Sequence, residues 1–149
     1  MARTSAPRGA IRFRISPTRP LLMVEAEVNG QGPFNFVLDT GASFCVITPD
    51  TAAVVGLKPA GKKPTAIGAG GRIEASLAKL KSFRLGSHGV RNLGVAIMAL
   101  DHVEQRLGVK IAGLVGYNFL KTFVVTLDYP NGLLRLKRPA VRTHKAAKR

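Results

Sequence analysis

The chain has 149 residues and a single cysteine, Cys45, which suits one domain burying about 68–70% of its unfolded surface and excludes both a disulfide framework and a thiolate zinc module. No apolar run approaches the roughly 18 residues of a membrane span, and residues 1–24 lack the apolar core of a secretory signal, so a soluble, cytoplasmic protein with no membrane partner is expected. The net charge of +15 gathers at the ends: residues 1–20 hold five Arg, 135–149 hold seven Lys or Arg, and 21–134 carry eleven basic residues against all eight acids. That distribution argues against a dedicated nucleic-acid fold and implies weak, non-specific polyanion binding by basic ends that also keep the protein soluble.

In chain order, the Arg-rich start has the composition of an organellar transit peptide, but Pro7, Pro17 and Pro20 would interrupt the amphipathic helix such a peptide forms. "IRFRI" (11–15) alternates apolar and basic residues, the pattern of an edge strand guarded by Arg. "LLMVEAEV" (21–28) is a strand, and "NGQGP" (29–33) turns it into "FNFVL" (34–38), a hairpin that delivers Asp39 at its exit. After "CVIT", Thr48 as N-cap, Pro49 at the first helical position and Gly56 as terminator predict a short helix over 50–55. Gly68, Gly70 and Gly71 cluster between two extended segments within 66–85 and mark a mobile hairpin tip. "GSHG" (86–89) turns into a strand over 90–100, and the polar residues 101–110 read as a loop. "IAGLVGYNFLKTF" (111–123) passes from a strand through Gly113 and Gly116 into a second short helix; "VVTLDY", "PNG" and "LLRLKR" then make a last hairpin. Many short strands, two helices and no repeat of 20–50 residues give an all-β domain and exclude solenoids and propellers. The expected layout is a basic N-terminal extension (1–20), one domain (21–138) and a basic C-terminal tail (139–149).

Asp39 poses the chemical question. A carboxylate between two apolar runs costs on the order of several kcal/mol unless hydrogen bonds or a proton-sharing partner compensate. As a tripeptide, Asp39-Thr40-Gly41 is also an ordinary Asx turn with Gly41 at positive φ. Its context goes further. Strand, "DTGAS" (39–43) and strand, followed 75 residues later by Leu114-Val115-Gly116 and then Tyr117-Asn118-Phe119-Leu120, resembles the catalytic loop and second signature of retropepsin-like aspartic proteases. The glycine-rich hairpin at 66–73 stands where such enzymes carry a flap, here Ile67, Gly68, Ala69, Gly70 and Gly71. "VVTLDYPNGLLRL" resembles the terminal strand and hairpin of cellular members, and the four features cover about residues 21–137. The resemblance implies an all-β, retropepsin-like closed β-barrel, equivalent to an acid-protease half-domain, with one or two short helices and a flap hairpin.

The same resemblance implies aspartic endopeptidase chemistry, in which two aspartates hold one water. Asp50, Asp101 and Asp128 do not repeat the motif, so the pair must form across the axis of a symmetric homodimer, each subunit giving Asp39. Two carboxylates about 3 Å apart at an effective dielectric near 20 repel by about 5.5 kcal/mol, so one keeps its proton. The ionised member takes a proton from the attacking water while the protonated member donates to the peptide carbonyl, and activity follows a bell in pH. No metal or other cofactor is implied. Thr40 would bond the partner's loop and Gly41 would permit close approach. Ala42 stands where other members place a Ser that hydrogen-bonds the carboxylate, which implies a less acidic optimum here. Viral members carry an Asp–Arg ion pair at the places of Ser43 and Tyr117, so bracing falls to Ser43 and Asn118; the flap tip also lacks an aromatic. An extended peptide or protein substrate would lie between flap and dyad, with Val37, Val46 and Ile67 as candidate pocket walls or plain core.

Other residues are not promoted. Cys45, flanked by apolar residues, reads as core rather than a redox switch. His88, His102 and His144 show no metal-ligand spacing. Asp128 before "PNG" is a turn former, and "GAGG" and "GLVG" do not follow the strand-to-helix pattern of a phosphate loop. The alternative from another class is a non-catalytic peptide- or polyanion-binding module on the same fold; an intact Asp39-Thr40-Gly41 argues against it, because binding alone does not need a costly carboxylate.

Overall fold

The computed structural model describes residues 5–60, 65–68 and 71–140. The barrel starts from a hairpin of β3 (Leu22–Val28) and β4 (Gln31–Leu38). Asn29 and Gly30 between them have φ of 50° and 75°, the left-handed pair that a tight hairpin of right-twisted strands requires. Asn29 Oδ1 also accepts from the backbone amides of Lys81 and Ser82 at 2.8 and 3.2 Å, fastening this turn to β7 (Gly71–Leu85).

A long hairpin of β7 and β8 (His88–Met98) forms the opposite wall. Between the two hairpins, β5 (Cys45–Ile47) runs parallel to β8 and antiparallel to β9 (Gly113–Val115), while β9 runs parallel to β4. Pairing of β3 with β7 closes the order β3-β4-β9-β5-β8-β7 into a barrel. β2 (Arg14–Ile15) and β6 (Thr65–Gly68) extend it at β3 and β7. A second sheet has the order β1 (Ala10–Arg12), β11 (Leu133–Lys137), β10 (Val124–Asp128). The barrel is filled by Phe36, Phe83 and Phe119, all fully buried, with successive ring centroids 5.2 Å apart in edge-to-face contact, the arrangement that aromatic quadrupoles favour.

Helix α1 (Pro49–Val55) has the capping legible in the sequence: Thr48 Oγ1 accepts from the amide of Thr51, and Gly56 ends the helix at φ 69°. Residues 101–110, expected as a loop, instead hold α2 (Asp101–Leu107). Leu100, Val103 and Leu107 fall at helical spacing and pack with Met23, Val37, Val46 and Ile111 into a second apolar cluster, and Gly108 terminates the helix at φ 68°. The polar residues between those three hid the period. With α3 (Tyr117–Leu120) the described residues hold three short helices rather than one or two.

The start of the chain also differs from expectation. "IRFRI" is two strands, β1 on β11 and β2 on β3, and Ile11 and Phe13 are buried in the main core. Residues 10–15, placed by sequence in a basic extension, thus contribute to both sheets. At the other end, Asp128 accepts from the side chain and the amide of Asn131 at 2.8 and 3.2 Å, the turn its context predicted, and these bonds hold its carboxyl below the usual carboxylate range. Among the described residues, no helix is long and apolar enough to cross a membrane.

Candidate active site

Asp39 leaves β4 at the point where β4 pairs with β9, and its amide donates to the Val115 carbonyl at 2.9 Å. Its Oδ1 accepts from the amide of Gly41 at 3.0 Å, and its carbonyl accepts from the amide of Ala42 at 3.2 Å. The chain therefore makes an Asx turn here, but Gly41 is not among the residues with positive φ. A Cβ at Gly41 would stand 3.4 Å from Asp39 Oδ1, close to an ordinary contact, so within one chain neither φ nor crowding demands glycine there.

The sequence suggested a buried carboxylate. In the single chain Asp39 and Ala42 are half-buried and Thr40, Gly41 and Ser43 are exposed. The chain by itself does not supply the dry surroundings expected from the sequence: Asp39 follows the last residue of β4, and Thr40, Gly41, Ser43 and Phe44 beyond it are exposed.

The second signature lies directly behind this loop. Leu114 and Val115 pair with Val37 and Leu38, and the amide of Tyr117 donates to the Ala42 carbonyl at 2.8 Å. Gly116 is required by closeness, since a Cβ would stand 2.5 Å from the Phe44 carbonyl oxygen and 2.9 Å from that of Ala42. Asn118 Oδ1 accepts from the amide of Cys45 at 2.8 Å and its Nδ2 donates to the Gly94 carbonyl at 2.6 Å, tying α3 to β5 and β8. Ser43 makes no side-chain hydrogen bond among the described residues, so the side-chain brace rests on Asn118 alone.

Asn118→Ala leaves the Cys45 amide and the Gly94 carbonyl without their side-chain partner and is expected to cost about 2 kcal/mol. Urea unfolding measures it; a loss below about 0.5 kcal/mol would show that water replaces both bonds.

Cys45 lies fully buried beneath the loop, and its Sγ accepts from the amide of Gly116 at 3.3 Å. Burial pushes its thiol above the ordinary range, the two backbone amides of Gly116 and Phe119 opposing this only in part. It is a core residue.

Val37 and Val46, offered as pocket walls, sit in the cluster covered by α2 at 2% and 5% exposure. Ile67 and Gly68 belong to β6 and Gly71 to β7; Gly68 pairs with Gly71, so the hairpin read as a flap is formed at the edge of the sheet. Ala69 and Gly70 lie outside the described residues. Two exposed rings flank the loop: Phe44, which the sequence did not single out, and Tyr117, which stands at the place of the viral Arg, are 50% and 58% exposed. Phe44 is the one apolar residue of "SFCVIT" that is exposed, a signal visible only once β5 is known to start at Cys45. Among the described residues, no three His, Cys, Asp or Glu side chains come together as a metal cage.

Comparison with known proteins agrees with this geometry. The family model described as aspartyl protease matches residues 24–119. The crystal structure of a retropepsin-like aspartic protease from Rickettsia conorii aligns with a TM-score of 0.61 and 25% identity, over 85% of this chain and 87% of that one. No curated protein sequence matches. The chain belongs to the aspartyl protease family and has the retropepsin-like fold.

Proposed function

We propose that this protein is an aspartic endopeptidase acting as a twofold homodimer, with Asp39 of each subunit holding one water between them. One observation carries the reading. The Asp39 carboxylate is half-exposed on a loop held by the amides of Gly41, Ala42 and Tyr117 and by the Val115 carbonyl, so the group is held in place by its own chain yet open to a second copy. Thr40 is exposed and makes no side-chain hydrogen bond among the described residues, leaving its hydroxyl for the partner's loop. An isologous contact at this loop would juxtapose the two carboxylates.

In such a pair one carboxylate is ionised and accepts a proton from water as it attacks the peptide carbonyl, and the other donates to the carbonyl oxygen. Leu114, Val115, Gly116 and Asn118 act by positioning the loop. An extended peptide would lie between the dyad and the β6–β7 hairpin, bonding through its main chain, and the exposed rings of Phe44 and Tyr117 give it or the second subunit apolar surface to cover.

The class is tested with a denatured protein and a peptide library. Cleavage that a statine-type inhibitor blocks is expected; cleavage blocked only by a chelator or a thiol reagent would overturn the proposal. The position of Ala42 gives a pH prediction. Ala42→Ser adds a donor beside the carboxylate, favours its charged form, and should move the acidic limb of the rate profile to lower pH by on the order of one unit. An unchanged limb would show that residue 42 does not face the dyad.

A further inference from the structure

A second surface lies at the other end of the barrel. β4 runs from Gln31 to Leu38 and delivers Asp39 at its far end, whereas Glu27 of β3 meets Arg84 of β7 near the start of β4. At about 3.3 Å per residue the two ends are separated by roughly 20 Å. Here the turn between β7 and β8 and the end of β11 enclose a concavity of about 610 Å³ whose lining includes Arg84, Arg91, Lys137, Arg138 and His88 and no carboxylate.

The strand register explains the convergence. Ser82 pairs with Arg91 and Arg84 with Gly89, so Arg84 and Arg91 stand on one face of the hairpin. Gly89 contributes no side chain opposite Arg84, and the space is taken by arginine: the position of a Cβ on Gly89 is 3.7 Å from Arg84 Nε. The Gly89 carbonyl accepts from Arg138 Nη2 at 2.7 Å, and the Arg138 guanidinium also lies 5.2 Å from the Phe123 ring centroid. Two guanidinium-bearing side chains are thus drawn to one glycine.

None of Arg84, Arg91, Lys137 and Arg138 forms an ion pair among the described residues; Glu27 faces Arg84 across the register without one. His88 lines the same hollow, and its Nδ1 has no hydrogen-bond partner among the described residues. Like charges gathered without an acid repel one another until an anion joins them.

We propose that this concavity binds a chain of phosphates, independently of the proteolytic reading. Guanidinium forks match phosphate oxygens better than lysine ammonium groups do. The lining holds no Trp or Tyr, its Phe83 is buried, and the neighbouring Phe123 ring is covered by Arg138, which favours recognition of the backbone over bases. A nucleic-acid strand and inorganic polyphosphate present the same chemistry.

The test uses the full chain and fluorescence anisotropy of a labelled 20-nucleotide oligothymidine at several salt concentrations, with polyphosphate and poly-glutamate of similar length as competitors. The variant Arg84→Gln/Arg91→Gln/Lys137→Gln should bind at least about tenfold more weakly and lower the salt slope by about two. Arg84→Lys/Arg91→Lys keeps the charge but not the forks, so it should keep the salt slope and bind more weakly than the parent but more tightly than the Gln variant, and matching circular dichroism melts show that the variants fold. Changing Arg142, Lys145, Lys148 and Arg149 to Gln should weaken binding less than the groove variant does. Polyphosphate or the oligonucleotide, whichever competes at lower concentration, identifies the source of the phosphates. Binding unaltered in the groove variant, binding lost mainly with the tail charges, or equal competition by poly-glutamate would each overturn the proposal.

Discussion

Asp39→Asn is expected to reduce peptide hydrolysis by about a thousandfold or more while leaving the fold intact. Asparagine has nearly the shape of aspartate, and its amide oxygen still accepts from the Gly41 amide, which Asp39 Oδ1 engages at 3.0 Å. The loop therefore keeps its geometry. What is lost is the capacity to hold and release a proton, on which both halves of the proposed chemistry depend. Melting should shift by no more than about 2 °C, because a half-exposed side chain keeps its one intrachain bond. Asp39→Ala is the useful contrast, since it removes that bond as well and should lower both rate and stability. A folded Asp39→Asn protein that cleaves at the wild-type rate would remove this residue from the reaction.

The largest stability effect should come from Gly113→Ala, expected to cost about 3 kcal/mol or more. β9 is threaded between β4 and β5, and a Cβ on Gly113 would overlap the Val46 carbonyl and stand 2.8 Å from Cε1 of Phe36. Neither neighbour can yield cheaply: one is backbone of a buried strand, the other belongs to the aromatic stack in the barrel. Gly116→Ala meets the same obstacle beneath the candidate loop. Gly108→Ala isolates the other reason for a glycine, because its φ is 68° but its surroundings are open; it should cost only about 1 kcal/mol. Urea titration of the three variants separates the causes. A Gly113→Ala protein as stable as Gly108→Ala would show that β9 can move away from β5.

Much of this arrangement was legible because it is local. Thr48-Pro49 and Gly56 announce α1, and Asn29-Gly30 announces the first hairpin; in each the chemistry of two or three neighbours determines the backbone. The pairing of "DTGAS" with Leu114-Val115-Gly116 was legible by resemblance, since nothing in their 75-residue separation reveals the parallel pairing of β4 with β9. What stayed hidden depends on distant partners. α2 was obscured because its two apolar residues, Val103 and Leu107, need Met23 and Val37, far along the chain, to make burial worthwhile. β1 needs β11 from the opposite end of the described chain, which turned a basic leader into part of the core. The half-exposure of Asp39 was hidden for a different reason: apolar runs on both sides suggest burial, but the turn between them, residues 40–44, is largely exposed.

The central claim is that two subunits each supply Asp39 to one site, and mixing subunits tests it directly. Wild-type and Asp39→Asn chains are unfolded together in equal amounts, refolded, and assayed at constant total protein. If each site needs Asp39 from both chains, random twofold pairing leaves about a quarter of the wild-type rate. A rate of about one half would mean that each chain works by itself, and would contradict the account.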